Sequence, residues 1–208
     1  MRDKLLIVGA GGFGRVVLEH AVLEYDCAFI DDGPEIGTLV NDVPVIGRTT
    51  ELEIFTEEYK KLIVAIGNNK FREEVYKRAE AAGYEFPNII DPSAYISPYA
   101  TLGKGVIILN NAVVQNNAQI GNGTILNSGV EAHHDSVIGN YCLIYANSVV
   151  RALTNVGDRV RIGSNVSIST GAQVPDDADI EDGSVVSGST AKGPKATGST
   201  ANGSVVKK

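Results

Sequence analysis

Cysteine and histidine are scarce in this chain. Among its 208 residues are two cysteines and three histidines. Cys27 and Cys142 lie far apart and show neither a disulfide framework nor a metal-ligand spacing, so a reducing compartment, the cytoplasm, is the expected location. Because no cluster of metal ligands is visible either, no metal is expected. No apolar run approaches the ~18 residues of a membrane span. Residues 1–5 carry only a very short apolar run before glycines and do not read as a signal peptide. Basic residues are outnumbered by acidic ones, 18 to 25, for a net charge of −7. That balance argues against nonspecific binding to nucleic acid. The hydrophobic fraction of 43% is enough for a real core, in one or two domains.

What the chain has instead is a period of six. Every sixth residue from Ile96 to Val186 is apolar, and only Ala132 among them is small. Two positions before each stands a small or β-branched residue, as in Ala112, Ala118, Thr124, Ser136, Cys142 and Ser148. Gly103, Gly121, Gly139 and Gly157 recur at intervals of eighteen. This period is neither helical nor a simple strand alternation. It fits a short strand, a corner and another short strand, with three hexads to a coil and coils stacked about 4.8 Å apart. The aliphatics fill the bore of a triangular prism and the small residues fit its corners, where Cys142 reads as a buried thiol.

The first ninety residues are different. Residues 4–8 read as a buried strand, 15–25 as a helix and 27–30 as a second strand ending in Asp31-Asp32. Between the first two lies Gly9-Ala10-Gly11-Gly12-Phe13-Gly14, whose glycines at 9, 11 and 14 fit the strand–turn–helix fingerprint for a phosphate at a helix N-terminus. The acids after the second strand are placed to meet a ribose or base edge. Residues 44–47 and 49–55 read as a connector and a short helix, 61–66 as an apolar strand ended by Gly67-Asn68-Asn69, 70–82 as an amphipathic helix and 85–88 as a further strand. Ligands meet the C-terminal ends of strands in such sheets, so residues 9–14, 31–32 and 66–69 should share one edge. A nicotinamide dehydrogenase is compatible with the fingerprint alone. The parallel part, however, is about half a dinucleotide fold, and a single nucleotide fits it better. The boundary falls near Ile90, and residues 193–208, rich in Gly, Ser, Thr, Ala and Lys, read as a flexible tail.

The six-residue period resembles that of the hexapeptide-repeat acyltransferases. Joined to the glycine-rich first half, it looks like the group of sialic-acid O-acetyltransferases and nucleotide-amino-sugar N-acetyltransferases of bacillosamine and perosamine type. Residues 9–15, Asp31-Asp32, Ala65-Ile66-Gly67-Asn68 and His134-Asp135-Ser136-Val137-Ile138-Gly139 carry the resemblance, which spans about 4–192. It implies an α/β half-Rossmann domain (1–90) that binds a nucleotide-sugar, followed by a left-handed parallel β-helix (91–192) that binds acetyl-coenzyme A. It also implies a homotrimer with active sites between adjacent β-helices. The nucleotide-sugar would meet Gly9, Gly11, Gly12, Phe13, Gly14, Asp31, Asp32, Ile66, Gly67 and Asn68. The coenzyme would meet Leu143, Ala152, Gly188 and Lys192. Leu143 stands where close relatives carry a histidine and Ala152 where they carry a glycine; 187–192 also departs from the family's usual Gly-Val-Pro-Ala-Lys.

Acetyl transfer needs a base near neutral pH, for which imidazole is the natural group, and a carboxylate to hold its tautomer. The resemblance makes His134 the base and Asp135 its partner. Ala152, one coil beyond His134, retains the backbone N–H that would stabilise the oxyanion. The expected reaction is direct acetyl transfer to the amine of a nucleotide-linked 4-amino-deoxy sugar, with uridine diphosphate as the expected carrier, during glycan biosynthesis. The alternatives are O-acetylation of a sugar hydroxyl and a non-catalytic scaffold that binds the sugar-nucleotide.

Overall fold

The computed structural model describes residues 2–188, and the chain divides between Ile89 and Ile90. Lys192, expected to touch the coenzyme, and the tail expected over 193–208 lie outside the described residues.

The first unit is built on β1 (Asp3–Val8), α1 (Gly12–Ala21), β2 (Tyr25–Ile30), β3 (Leu39–Val40), β4 (Val43–Gly47), a 3-10 helix (Thr49–Phe55), β5 (Lys61–Val64) and α2 (Asn69–Ala81). The sheet order is β3-β4-β2-β1-β5. β1, β2, β4 and β5 run parallel, and β3 is antiparallel to β4. Leu5, Leu6, Ile7 and Val8 are wholly buried, as expected of a parallel strand covered on both faces. α1 presents Gly14, Val17, Leu18 and Ala21 to the core.

Three sequence expectations need correction. Residues 44–47 are no mere connector but most of β4, because Val45 is fully buried against β2. Residues 85–88 form no strand, only an isolated bridge from Glu85 to Lys61. α1 starts at Gly12, inside the glycine motif, and ends at Ala21, several residues short of the expected end.

The second unit is a left-handed parallel β-helix of two-residue strands. Its first face stacks Tyr95–Ile96, Val113–Val114, Glu131–Ala132, Val149–Val150, Ser167–Ile168 and Val185–Val186. The second stacks Thr101–Leu102, Gln119–Ile120, Val137–Ile138, Asn155–Val156 and Gln173–Val174. The third stacks Ile107–Ile108, Ile125–Leu126, Leu143–Ile144, Arg161–Ile162 and Asp179–Ile180, with Ile89–Ile90 at its edge. Strand partners are eighteen residues apart, as in Val114↔Ala132 and Ala132↔Val150. The large and small inward series form one core from Val106 to Val186.

A second six-residue series marks the corners. Residues 105, 111, 117, 123, 129, 135, 141, 147, 153, 159, 165, 171, 177 and 183 all have positive φ. All are Gly, Asn or Asp except Tyr141, Leu153 and Arg159. Left-handed backbone tolerates those three types and penalises other side chains.

Candidate active site

His134 and Asp135 occupy the corner between the first and second faces. His134 Nδ1 lies 2.7 Å from Asp135 Oδ2. The Asn117 side-chain amide, one coil earlier, donates to Asp135 Oδ1 at 3.2 Å, and Gln115 Oε1 accepts the His134 backbone N–H at 3.1 Å. With both carboxylate oxygens engaged, Asp135 is fixed in orientation, and the backbone φ of 59° turns it back along the corner. The His134 ring, and after it the Asn117 amide, hold the Asp135 carboxyl below the ordinary carboxylate range. The carboxylate therefore favours hydrogen on Nδ1, which leaves Nε2 as an acceptor. Among the described residues Nε2 has no partner, and the His134 side chain is 56% exposed.

Ala152 stands one coil beyond His134 and is buried at the same corner. Its carbonyl accepts from Gly171, while its N–H donates to no acceptor among the described residues. The corner between the second and third faces behaves otherwise. There the N–H groups of Lys104, Asn122, Asn140 and Asp158 are each taken by the side-chain oxygen one coil ahead, at 2.7–2.9 Å. The residue one coil ahead of Ala152 is Thr170, and it does not close the amide in this way. An open N–H beside an unpartnered imidazole nitrogen can serve a developing oxyanion and a moving proton.

His133 makes a second pair, with its Nε2 3.0 Å from Glu131 Oε2. Leu143 is not brought to His134. It opens a third-face strand, and nine residues, half a coil, place it on the opposite side of the prism. Gly188 is exposed at the last described position. Cys142 is buried, and its thiol donates to the Gly157 carbonyl at 3.1 Å, which fits a packing role. Burial pushes the Cys27 thiol up to about 12, far from a nucleophile's range. No group of three or more His, Cys, Asp or Glu is arranged to hold a metal among the described residues. Nor is any described helix long and apolar enough to cross a membrane.

In the first unit the three loops do share one edge. Gly9 N–H reaches the Ile30 carbonyl at the end of β2, and Ala65 N–H the Val8 carbonyl at the end of β1. The chain reverses its direction of sheet building between β1 and β5, the place where open α/β sheets take ligands. Two glycines there are dictated by sterics. A Cβ on Gly14 would lie 1.9 Å from the Gly9 carbonyl oxygen; one on Gly9, at φ 105°, would lie 2.8 Å from the Ala65 carbonyl oxygen. Gly11 instead faces open space and, as the N-cap of α1, offers no side-chain cap; no acid occupies the first turn. Gly12 and Phe13 follow as exposed and half-exposed first-turn residues.

The acids are less available than their position suggests. Asp31 accepts from the Ala10 and Gly33 N–H groups, both at 2.7 Å, and so braces the glycine loop. Asp32 accepts from the Thr49 N–H and hydroxyl at 2.9 and 2.5 Å. The hydroxyl, its largest influence, helps hold the carboxyl below its ordinary range. Asn68 caps α2 by accepting from Phe71 N–H at 3.0 Å. Gly67 is exposed. The wholly buried Arg72 pins this loop, donating to the Ile66 carbonyl at 2.8 Å and Asn69 Oδ1 at 2.9 Å.

Sequence reasoning missed Asn117, Gln115, Glu131, Thr49 and Arg72. Counting one coil back from Asp135 would have found Asn117. The others carry no spacing signal.

Residues 4–79 match the PglD N-terminal domain, and residues 117–152 match the bacterial transferase hexapeptide of six repeats. The acetyltransferase domain of PglB from Neisseria gonorrhoeae, solved with acetyl coenzyme A, is 32% identical with a TM-score of 0.80, over 90% of this chain and 97% of that one. PerB from Caulobacter crescentus, solved with CoA and GDP-perosamine, is 30% identical with a TM-score of 0.83, over 90% of each chain. GDP-perosamine N-acetyltransferase of Escherichia coli is 26% identical over 174 residues, 79% of this chain and 77% of that protein.

Proposed function

This chain belongs to the hexapeptide-repeat sugar acetyltransferases that carry a PglD-type N-terminal domain, and we propose that it moves the acetyl group of acetyl-coenzyme A to the amine of a nucleotide-linked 4-amino-deoxy sugar. The observation that carries this reading is the pairing of the open His134 Nε2 with the undonated Ala152 N–H one coil away.

His134 Nε2 takes a proton from the sugar amine as its nitrogen forms a bond to the thioester carbon. Charge develops on the carbonyl oxygen, where the Ala152 N–H stabilises it. Asp135 steadies the imidazolium. The tetrahedral intermediate then breaks its C–S bond, and the imidazolium returns the proton to the departing thiolate. An amide and free coenzyme A result, with no acyl-enzyme.

The N-terminal unit takes the nucleotide at the start of α1, with residues 66–68 across the sheet's reversal point. Uridine diphosphate is the carrier expected from sequence. Guanosine diphosphate stands beside it because the perosamine enzymes among the relatives use it. The assembly is a homotrimer in the cytoplasm. Leu143, at 4% exposure, gives a neighbouring chain little to touch, so the trimer rests on the resemblance alone.

Thiol release from acetyl-coenzyme A, measured against GDP-, UDP- and dTDP-linked 4-amino sugars, tests the proposal. One acceptor should drive release, and His134→Ala should lower it about 10²–10⁴-fold. Release with sugar hydroxyls alone would make the enzyme an O-acetyltransferase. No release with any acceptor would leave a scaffold.

A further inference from the structure

Leu153 is out of place in its column. Above Tyr99, which lacks the left-handed conformation, the residues stacked at its corner position are Asn117, Asp135, Leu153 and Gly171, with φ of 57°, 59°, 61° and 72°. Asparagine, aspartate and glycine accept this conformation, whereas leucine is disfavoured in it by its Cβ. The two other exceptions in the corner series are supported. Arg159 is half-buried and forked onto Asp177 at 2.9 and 3.0 Å, and Tyr141 is half-buried. Leu153 is 60% exposed, and its N–H holds the His134 carbonyl only at 3.4 Å. A strained, uncovered aliphatic side chain therefore follows the open Ala152 amide and lies one coil above Asp135. The repeat itself imposes the left-handed backbone at this corner, so what calls for a reason is a leucine where its column carries Asn, Asp and Gly.

We propose that Leu153 is the acyl-selecting wall of the site, with its side chain in van der Waals contact with the methyl end of the bound thioester. This rests on the reaction proposed above. A carbonyl oxygen seated on the Ala152 N–H brings the acyl carbon beside the next residue in the chain. There an aliphatic group covers the acetyl methyl, leaves little room for longer chains and keeps water off the thioester. The ligand class is thus a short-chain acyl thioester, selected by size.

The test measures binding and thiol release for acetyl-, propionyl- and butyryl-coenzyme A with the full chain and its variants. Leu153→Ala should raise the butyryl-to-acetyl ratio of affinities and of kcat/KM about tenfold or more, the usual effect of a methylene or two in an apolar pocket. Leu153→Asn, suited to the left-handed backbone, should melt about 2–4 °C higher than the natural protein while losing acetyl transfer. An unchanged acyl preference in Leu153→Ala, with acetyl-coenzyme A still bound, overturns the assignment and leaves the acetyltransferase reading intact. A lower melting temperature for Leu153→Asn overturns it too, because the side chain would then be packed in the resting protein. If the natural protein binds no acyl thioester, the reaction itself is wrong and Leu153's role falls with it.

Discussion

Two corners of the same prism are built differently. Between the second and third faces, Gly103, Gly121, Gly139 and Gly157 allow each coil to press on the next, and Asn122, Asn140, Asp158 and Asp176 close the amides. Between the first and second faces no such series runs: the Asn116, Ala152 and Thr170 N–H groups have no acceptor among the described residues, and His134 Nε2 has no partner among them. Open amides recur at the corner between the third and first faces, at Asn110, Ser128 and Ala146, so what sets the first-to-second corner apart is the imidazole that stands in it.

Substitutions at the two corners should therefore separate activity from stability. The largest effect belongs to His134→Ala: kcat should fall about 10²–10⁴-fold with little change in melting temperature, because the ring is exposed. A matching loss of stability would mean that the histidine is a structural corner residue. At the closed corner Gly139→Ala should do the reverse. Its Cβ would lie 2.5 Å from the Gly157 carbonyl oxygen and Asp158 Oδ1, so the coils must part; we expect a loss of about 2–4 kcal/mol in denaturant unfolding. Asp158→Ala should cost less, about 1–2 kcal/mol, by leaving the Asn140 N–H without its acceptor.

The smallest effect is in pH dependence. The folded Asp135 carboxyl is held below its unfolded value, first by His134 and then by Asn117. Its contribution is therefore fully present above the unfolded value near 4 and is lost as pH falls through the lower folded one. The difference in melting temperature between the natural protein and Asp135→Asn should shrink as pH falls below about 4, where the carboxyl protonates. A difference that persists undiminished well below about pH 4 would contradict the His134–Asp135 pairing.

The β-helix was legible because its core repeats. One large and one small residue per hexad must point inward, and that requirement runs from Ile96 to Val186 without a break. The column of left-handed corners was equally regular in Gly, Asn and Asp, but it was hidden behind the apolar series. The histidine–carboxylate pair was legible through adjacency and family likeness. Its supports were not: Asn117 and Gln115 reach His134 and Asp135 across a coil, a contact made by stacking rather than by neighbouring positions in the chain. In the N-terminal unit the glycine fingerprint located the loop, but composition could not say that Asp31 and Asp32 are occupied by backbone and Thr49. β4 was misread because Pro44 and Gly47 fall within it, and its pairing with β2 comes from tertiary contact.

The most direct test is a crystal structure of the His134→Ala variant with acetyl-coenzyme A and the activating nucleotide-sugar, a complex that should not turn over. The open-corner account predicts the thioester carbonyl oxygen within about 2.7–3.2 Å of the Ala152 nitrogen. It also predicts the sugar amine poised where the imidazole would have stood. A thioester seated instead along the shallow groove beside Gly121, Val137 and Gly139 would contradict it, and the open corner would then have no part in the chemistry.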